Sequence, residues 1–156
     1  MAVNLGTAVG YSGSFMLNNT TNSHLTTIEI NEKNFNVAKT TFQTLNLTNR
    51  VTQILGDAKD VIKTLNCEYD FIFLDGPKGQ YLAYYEDLLK LLKVGGYILV
   101  DNVYFHGLVR GQEFVKHKLR TLVVNLRKFI DVITKDKRVE TQILDIGDGI
   151  AIIKKL

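Results

Sequence analysis

The sequence predicts an α/β fold in which a mostly parallel β-sheet carries helices on both faces. Short apolar runs rich in β-branched residues alternate with longer amphipathic stretches, which is the pattern of repeated strand–helix units. The 156 residues fall within the usual size of one compact unit, so we expect a single domain over residues 1–156. A hydrophobic content of 46% and a charged content of 22% argue against disorder.

Five strands are expected to form the parallel part of the sheet, with helices in the intervals. The strands are predicted at residues 2–5, 25–30, 51–55, 71–75 and 97–100. Between the second and third strands, Phe35, Ala38 and Phe42 recur at three- and four-residue spacing, which predicts a helix over residues 32–45. A second amphipathic helix is predicted over residues 81–92.

The C-terminal third predicts a long helix followed by two more strands. The helix is expected over residues 113–133, and the strands over 140–146 and 150–153. Gly147-Asp148-Gly149 joins the two strands, and Asp-Gly between apolar runs is a hairpin signal. We therefore expect an antiparallel hairpin that closes the otherwise parallel sheet.

Composition narrows the range of partners and compartments. A net charge of +3 permits an anionic partner but does not require one. The longest apolar runs, such as residues 71–74, are far shorter than the roughly 20 residues that span a bilayer, so no membrane partner is expected. Because no secretory leader precedes Gly6, we expect a cytoplasmic location. The single cysteine, Cys67, is interpreted as a structural thiol.

A glycine-rich loop and a distant acidic residue together indicate an adenosine-containing cofactor. The loop Gly6–Gly13 follows the first strand and opens a helix, where glycines allow a ligand to approach the backbone closely. Its spacing is not G-x-G-x-x-G, and such a loop is equally compatible with a structural turn. Glu29, at the end of the second strand, can accept hydrogen bonds from both ribose hydroxyls. Taken alone, Glu29 is interpreted as a solvated carboxylate at the end of a strand.

The end of the third strand is a second candidate contact for this cofactor. Gly56, Asp57 and Ala58 follow that strand at the same edge of the sheet. A small residue and free backbone groups there could contact the adenine, although the motif is as typical of a helix N-cap.

Two acidic clusters predict a metal site. Asp75 ends the fourth strand and Asp101-Asn102 ends the fifth, so neighbouring parallel strands would bring them close together. Two carboxylates and an amide oxygen suit Mg²⁺, whereas ordinary loop capping is the alternative. A cation there would bind a substrate hydroxyl, and Lys78 could accept its proton, unless Lys78 is merely a surface lysine.

Seven motifs in this order resemble the catechol and caffeoyl-CoA type of cation-dependent, class I S-adenosylmethionine O-methyltransferases, over nearly the whole chain. They are Gly6–Ser12, Thr27-Ile28-Glu29, Gly56-Asp57-Ala58, Asp70–Asp75, Lys78–Tyr81, Asp101-Asn102-Val103 and Gly147-Asp148-Gly149. The resemblance implies a Rossmann-like methyltransferase fold with a seven-stranded sheet.

The resemblance also implies roles for individual residues. Asp75, Asp101 and Asn102 would be the ligands of Mg²⁺ or Mn²⁺, and Lys78 the catalytic base. Around S-adenosylmethionine it implies Ser12, Glu29 and Ala58, with Asp75 also touching the methionine portion. The stretch 101–109 and the helix with Arg120 and Phe129 are most similar to bacterial members that methylate 5-hydroxyuridine in tRNA.

The acceptor therefore has two candidate classes. A tRNA is favoured by that subgroup similarity and by a basic helix face formed by Lys116, Lys118, Arg120, Arg127 and Lys128. A small catechol-like molecule is the alternative. A dehydrogenase is a weaker interpretation, because nicotinamide chemistry leaves the acidic clusters unexplained.

Two departures from the family pattern set further expectations. Asn4 stands where the family usually has an acidic residue two positions before the first loop glycine. The family also has helices before its first strand that cover the donor and build the acceptor pocket and the contact of a homodimer, and these are missing here. A truncated, non-catalytic cofactor-binding module is therefore the alternative to an active enzyme.

Overall fold

A computed structural model of the chain describes residues 1–111 and 117–156. The strands are β1 Ala2–Leu5, β2 Leu25–Glu29, β3 Val51–Leu55, β4 Tyr69–Leu74, β5 Leu92–Val100, β6 Val139–Leu144 and β7 Ile150–Lys155. The helices are α1 Tyr11–Asn18, α2 Glu32–Thr44, α3 Ala58–Val61, α4 Tyr81–Leu91 and α5 His117–Lys135. No helix in these two ranges is long and apolar enough to cross a bilayer.

The seven strands form one sheet in the order β3-β2-β1-β4-β5-β7-β6. The neighbours from β3 to β5 pair in parallel, whereas β7 pairs antiparallel with both β5 and β6. The predicted fold class and its C-terminal hairpin are therefore confirmed. The strand order reverses direction between β1 and β4, and in open α/β sheets ligands bind at the carboxyl edge of such a switch point.

The alternation of side chains along β1 separates two cores, one on each face of the sheet. Val3 and Leu5 belong to the larger core, which α4 and α5 cover. Ala2 packs on the opposite face against the smaller core under α1 and α2, which contains Leu17 and Phe42. Helices therefore cover both faces, as the sequence predicts. Cys67 has no disulfide partner and packs against the larger core.

Most element bounds lie within two residues of the predicted ones, and β5 shows the largest difference. It begins at Leu92 rather than at residue 97, so that α4 ends one residue earlier than predicted. Gly95 lies within β5 with a φ of +80°, and the pairing of β4 with β5 shifts its register between Tyr69 and Phe71, as at a bulge. The start predicted for α5, residues 113–116, lies outside the described residues.

Candidate functional site

A cavity of about 280 Å³ opens at the carboxyl edge of the sheet, beside the switch point between β1 and β4. Its volume is near the lower end of the range for small-molecule sites. Six of the seven residues predicted to bind the cofactor line it, namely Gly6, Glu29, Gly56, Asp57, Ala58 and Asp75. The structure thus brings together the ends of β1, β2, β3 and β4, which lie far apart in the sequence.

Gly6 permits the close approach of two strand ends. Its φ is +100°, and a Cβ atom there would lie 2.2 Å from the carbonyl oxygen of Asp75. The loop therefore needs glycine for contact with the backbone after β4, as well as for the approach of any ligand.

Glu29 is held rigidly at the cavity wall. Its side chain is buried, and its Oε2 accepts a hydrogen bond from the backbone N–H of Ala8 at 2.8 Å. The other oxygen, Oε1, accepts one from the N–H of Asn31, also at 2.8 Å. Each carboxylate oxygen has lone-pair capacity beyond one bond, so the group can still accept hydroxyl hydrogens from a ligand. The hydrogen bond from Ala8 thus joins the glycine-rich loop directly to Glu29.

Asp57 serves as a helix cap and as part of the cavity wall. Its side chain accepts a hydrogen bond from the backbone N–H of Lys59 at 2.9 Å and caps α3. It also lines the cavity together with Gly56 and Ala58. Asp57 therefore caps a helix and also lies where a cofactor contact is expected.

The cavity lining also includes residues without a predicted cofactor role, among them Ile30, Gln80 and Tyr84. The hydroxyl of Tyr84 donates to Oε1 of Gln80 at 2.5 Å, one helical turn away. Burial, followed by the negative charge of Asp57, raises the pKa of Tyr84 above its ordinary value. Ile30 directly follows Glu29 and is 66% exposed, so a large apolar side chain stands at the cavity mouth. In the sequence, the signal for a role of Ile30 is its position directly after Glu29.

Ser12 is the predicted cofactor residue that lies outside this lining. It borders a neighbouring apolar hollow with Phe15 and Phe73. Nδ2 of Asn4 donates to its Oγ at 3.3 Å. Asn4 is fully buried, and within residues 1–111 and 117–156 its Oδ1 finds no hydrogen-bond partner. Among the residues that the structure describes, the side-chain amide of Asn4 is thus paired through its nitrogen and not through its oxygen.

The predicted metal ligands directly follow the ends of two neighbouring strands, β4 and β5. Leu74 pairs with Val100 in the parallel ladder, and the N–H of Asp101 donates to the carbonyl of Leu74 at 3.1 Å. Asp75 and Asp101 therefore occupy adjacent register positions. Asn102 has a φ of +56°, and its N–H donates to Oδ1 of Asp101 at 2.8 Å. Asparagine tolerates this left-handed conformation better than most residues.

The donor set fits a hard divalent cation. It consists of two carboxylates and one amide, and oxygen ligands of this kind suit Mg²⁺, which keeps several of its waters. Among the described residues, no cluster of three or more His, Cys, Asp or Glu side chains is arranged to hold a metal. The set of Asp75, Asp101 and Asn102 contains only two such residues, because its third member is an asparagine.

Lys78 lies within contact of this set. It begins the short 3₁₀ turn Lys78–Gln80, and its Nζ donates to Oδ1 of Asp75 at 2.6 Å. The Lys78 side chain is only 17% exposed. The amine of Lys78 is therefore partly buried and paired with a predicted metal ligand.

The predicted basic face of α5 is less coherent than the sequence suggests. Arg127 turns onto the loop after β5, where it donates to the carbonyls of Leu108, Val109 and Gly111. Lys118 and Arg120 are exposed but stand about 200° apart around the helix. Lys128 is exposed as well, and Lys116 lies outside the described residues.

Comparison with known proteins gives consistent similarities. A family model described as O-methyltransferase matches residues 1–156. A caffeoyl-CoA O-methyltransferase of Populus kitakamiensis is 33% identical over 114 residues, which are 69% of this chain and 48% of that protein. This chain thus spans about half the length of that relative.

Two solved structures share the fold at 28% sequence identity, and both contain SAH. The methyltransferase PaMTH1 of Podospora anserina gives a TM-score of 0.88, covering 99% of this chain and 71% of that one. An O-methyltransferase of Bacillus cereus gives a TM-score of 0.87, covering 99% of this chain and 73% of that one.

Proposed function

Since this chain belongs to the O-methyltransferase family, we propose that it transfers a methyl group from S-adenosylmethionine to a hydroxyl oxygen of an acceptor. One observation carries the proposal: the cavity that holds Glu29 ends at Asp75, and Asp75 is adjacent in register to Asp101. The carboxylate proposed to bind the nucleoside and the set proposed to bind the cation therefore share one sheet edge.

For the cofactor, the chain supplies a rigid carboxylate and an open backbone. Glu29 is fixed by two backbone N–H groups and would accept hydrogen bonds from the ribose hydroxyls. Asp57, Ala58 and Ile30 would enclose the adenine end. The bound cofactor supplies an activated methyl group, and the SAH in two related structures supports this assignment.

For the cation, Asp75, Asp101 and Asn102 would be the protein ligands. A divalent ion held there, Mg²⁺ or Mn²⁺, would lower the pKa of an acceptor hydroxyl and orient its oxygen. Backbone hydrogen bonds to Leu5 and Leu74 hold the two aspartates just beyond the strand ends, and the backbone of Asn102 is left-handed, with a φ of +56°.

Lys78 is the proposed proton acceptor. Its amine is anchored at Asp75, so it stands beside the position at which an acceptor hydroxyl would be oriented. Positioned proton transfer of this kind contributes about 10²- to 10⁴-fold to a rate. Holding the donor and acceptor in one geometry supplies a large further share.

We propose a small catechol-like molecule as the first acceptor class. Arg127 is engaged by backbone carbonyls, which removes one of the cations expected to face a phosphate backbone. The exposed Lys118, Arg120 and Lys128 keep 5-hydroxyuridine in tRNA as the second class. A tRNA complex would weaken steeply with salt, whereas a small acceptor would show little dependence.

The test is transfer of a labelled methyl group from S-adenosylmethionine to catechols and to tRNA containing 5-hydroxyuridine. Transfer is expected with Mg²⁺ or Mn²⁺ and is expected to stop with a chelator. If the chain binds the cofactor but transfers no methyl group under any metal condition, the proposed enzymatic activity is contradicted. A non-catalytic cofactor-binding module is then favoured.

A further inference from the structure

Tyr81 connects the groups that the proposed function assigns to the metal and the base. It opens α4 and is fully buried. Its hydroxyl donates to the backbone carbonyl of Asp101 at 3.2 Å. The Nζ atom of Lys78 lies over its ring, 5.6 Å from the centroid. One side chain thus contacts both the loop after β5 and the turn after β4.

The ring of Tyr81 has little freedom to move. It packs edge-on against Phe129 of α5, with the centroids 5.7 Å apart. Because the ring is buried and fixed by α5, its hydroxyl can reach only a small region at the sheet edge. The carbonyl of Asp101 occupies that region.

The hydroxyl of Tyr81 lies in a buried environment beside two acidic residues. Burial raises the pKa of Tyr81 far above its ordinary value, and the carboxylates of Asp75 and Asp101 raise it further. The backbone of Gly76 acts in the opposite direction through a hydrogen bond.

We propose that Tyr81 is a positioning residue that fixes the Asp101-Asn102 turn against Asp75 and so preorganises the cation site. This inference rests on the proposed function, because it concerns the same three ligands. The hydroxyl holds the carbonyl of Asp101, which is the backbone group immediately before Asn102. Without this hydrogen bond, the turn would keep its backbone conformation but sample a wider range of positions. The three proposed ligands would then no longer be preorganised for the cation.

The chain offers a closely matched control. Tyr85 lies one helical turn after Tyr81, is also buried, and packs edge-on against the same Phe129. Its hydroxyl donates to Oδ2 of Asp136 at 3.0 Å, at the end of α5 rather than at the carboxyl edge of β4 and β5. Tyr81→Phe and Tyr85→Phe each remove one buried hydroxyl from the same helix face.

The experiment is a titration of Mn²⁺ into the full chain, in which electron paramagnetic resonance measures the concentration of free Mn²⁺. Loss of one hydrogen bond is expected to weaken Mn²⁺ binding by about three- to tenfold in Tyr81→Phe. In Tyr85→Phe the change should stay below about twofold, a fraction of that same hydrogen-bond effect. Binding of S-adenosylhomocysteine, measured with chelator present, should be unchanged in both and serves as the check on folding.

The outcomes separate the inference from the function on which it rests. Equal Mn²⁺ affinity in Tyr81→Phe and the wild type, or equal weakening in both variants, overturns the positioning role. If the wild type methylates an acceptor and binds Mn²⁺, the proposed function survives that result. Failure of the wild type to bind Mn²⁺ at all would overturn both.

Discussion

Replacing Gly6 by alanine should disrupt the cavity at its base. The new Cβ atom would lie 2.2 Å from the carbonyl oxygen of Asp75, so the two backbones must separate by more than 1 Å to reach ordinary contact. Hydrogen bonds oppose that movement, because the N–H of Gly6 donates to Ile28 and the N–H of Asp75 donates to Leu5. The clash costs about 1–3 kcal/mol, as overpacking does. The positive φ costs about 1–2 kcal/mol more.

Gly95→Ala isolates the second of these costs. Gly95 has a φ of +80°, but an added Cβ atom would meet nothing within 4 Å. At about 2–4 °C per kcal/mol for a chain of this size, Gly6→Ala should melt about 2–12 °C below Gly95→Ala. Thermal unfolding followed by circular dichroism measures the difference. Equal melting temperatures would show that the contact between Gly6 and Asp75 does not constrain the strand ends.

Three further predictions concern the cofactor, the base and the core. Glu29→Gln should weaken S-adenosylhomocysteine binding by about tenfold or more in calorimetry, since an amide cannot accept from Ala8, Asn31 and a ligand together; unchanged affinity would exclude the ribose contact. Lys78→Met should lower kcat by about 10²- to 10⁴-fold while cofactor affinity stays within error; an unchanged kcat would remove Lys78 as the base. Burial raises the pKa of Tyr69 to about 12, against about 10 in the unfolded chain. Since the folded state then keeps a proton that the unfolded state loses, stability should fall as pH rises from about 10 to 12. Urea unfolding should show a shallower fall in Tyr69→Phe, and parallel curves would contradict the assignment.

The fold was predictable because its signals are local. Alternating apolar and amphipathic segments specify parallel strands with helical connections, and Gly147-Asp148-Gly149 specifies the hairpin, where both glycines adopt positive φ. The strand ends could be assigned to one edge for the same reason. Parallel strands finish on the same side, so Glu29, Asp57, Asp75 and Asp101 needed no knowledge of packing to be grouped.

What could not be predicted depends on the direction of side chains over that edge. Gln80 and Tyr84 line the cavity from the turn before α4 and from its first turn, and periodicity gives the apolar face of a helix but not its location. Arg127 looks in the sequence like one member of a solvated basic face. It turns to the carbonyls of Leu108, Val109 and Gly111 because these need donors that no strand provides.

The contacts of Ser12 belong to the same class. A serine at the start of a helix beside a glycine loop is equally compatible with binding a ligand and with binding the chain itself. In the structure its Oγ accepts from Asn4, and the residue borders the hollow next to the cavity. Its role toward the cofactor therefore stays a prediction.

The most direct test of the proposed cofactor site is calorimetric titration of S-adenosylmethionine into this 156-residue chain, with Mg²⁺ and then with a chelator. Saturable one-to-one binding under both conditions, weakened by about tenfold or more in Glu29→Gln, is the predicted result, because the carboxylate of Glu29 lines the cavity independently of any cation. Absence of binding by the folded wild type, or binding that Glu29→Gln leaves intact, would contradict the assignment of this cavity to the methyl donor.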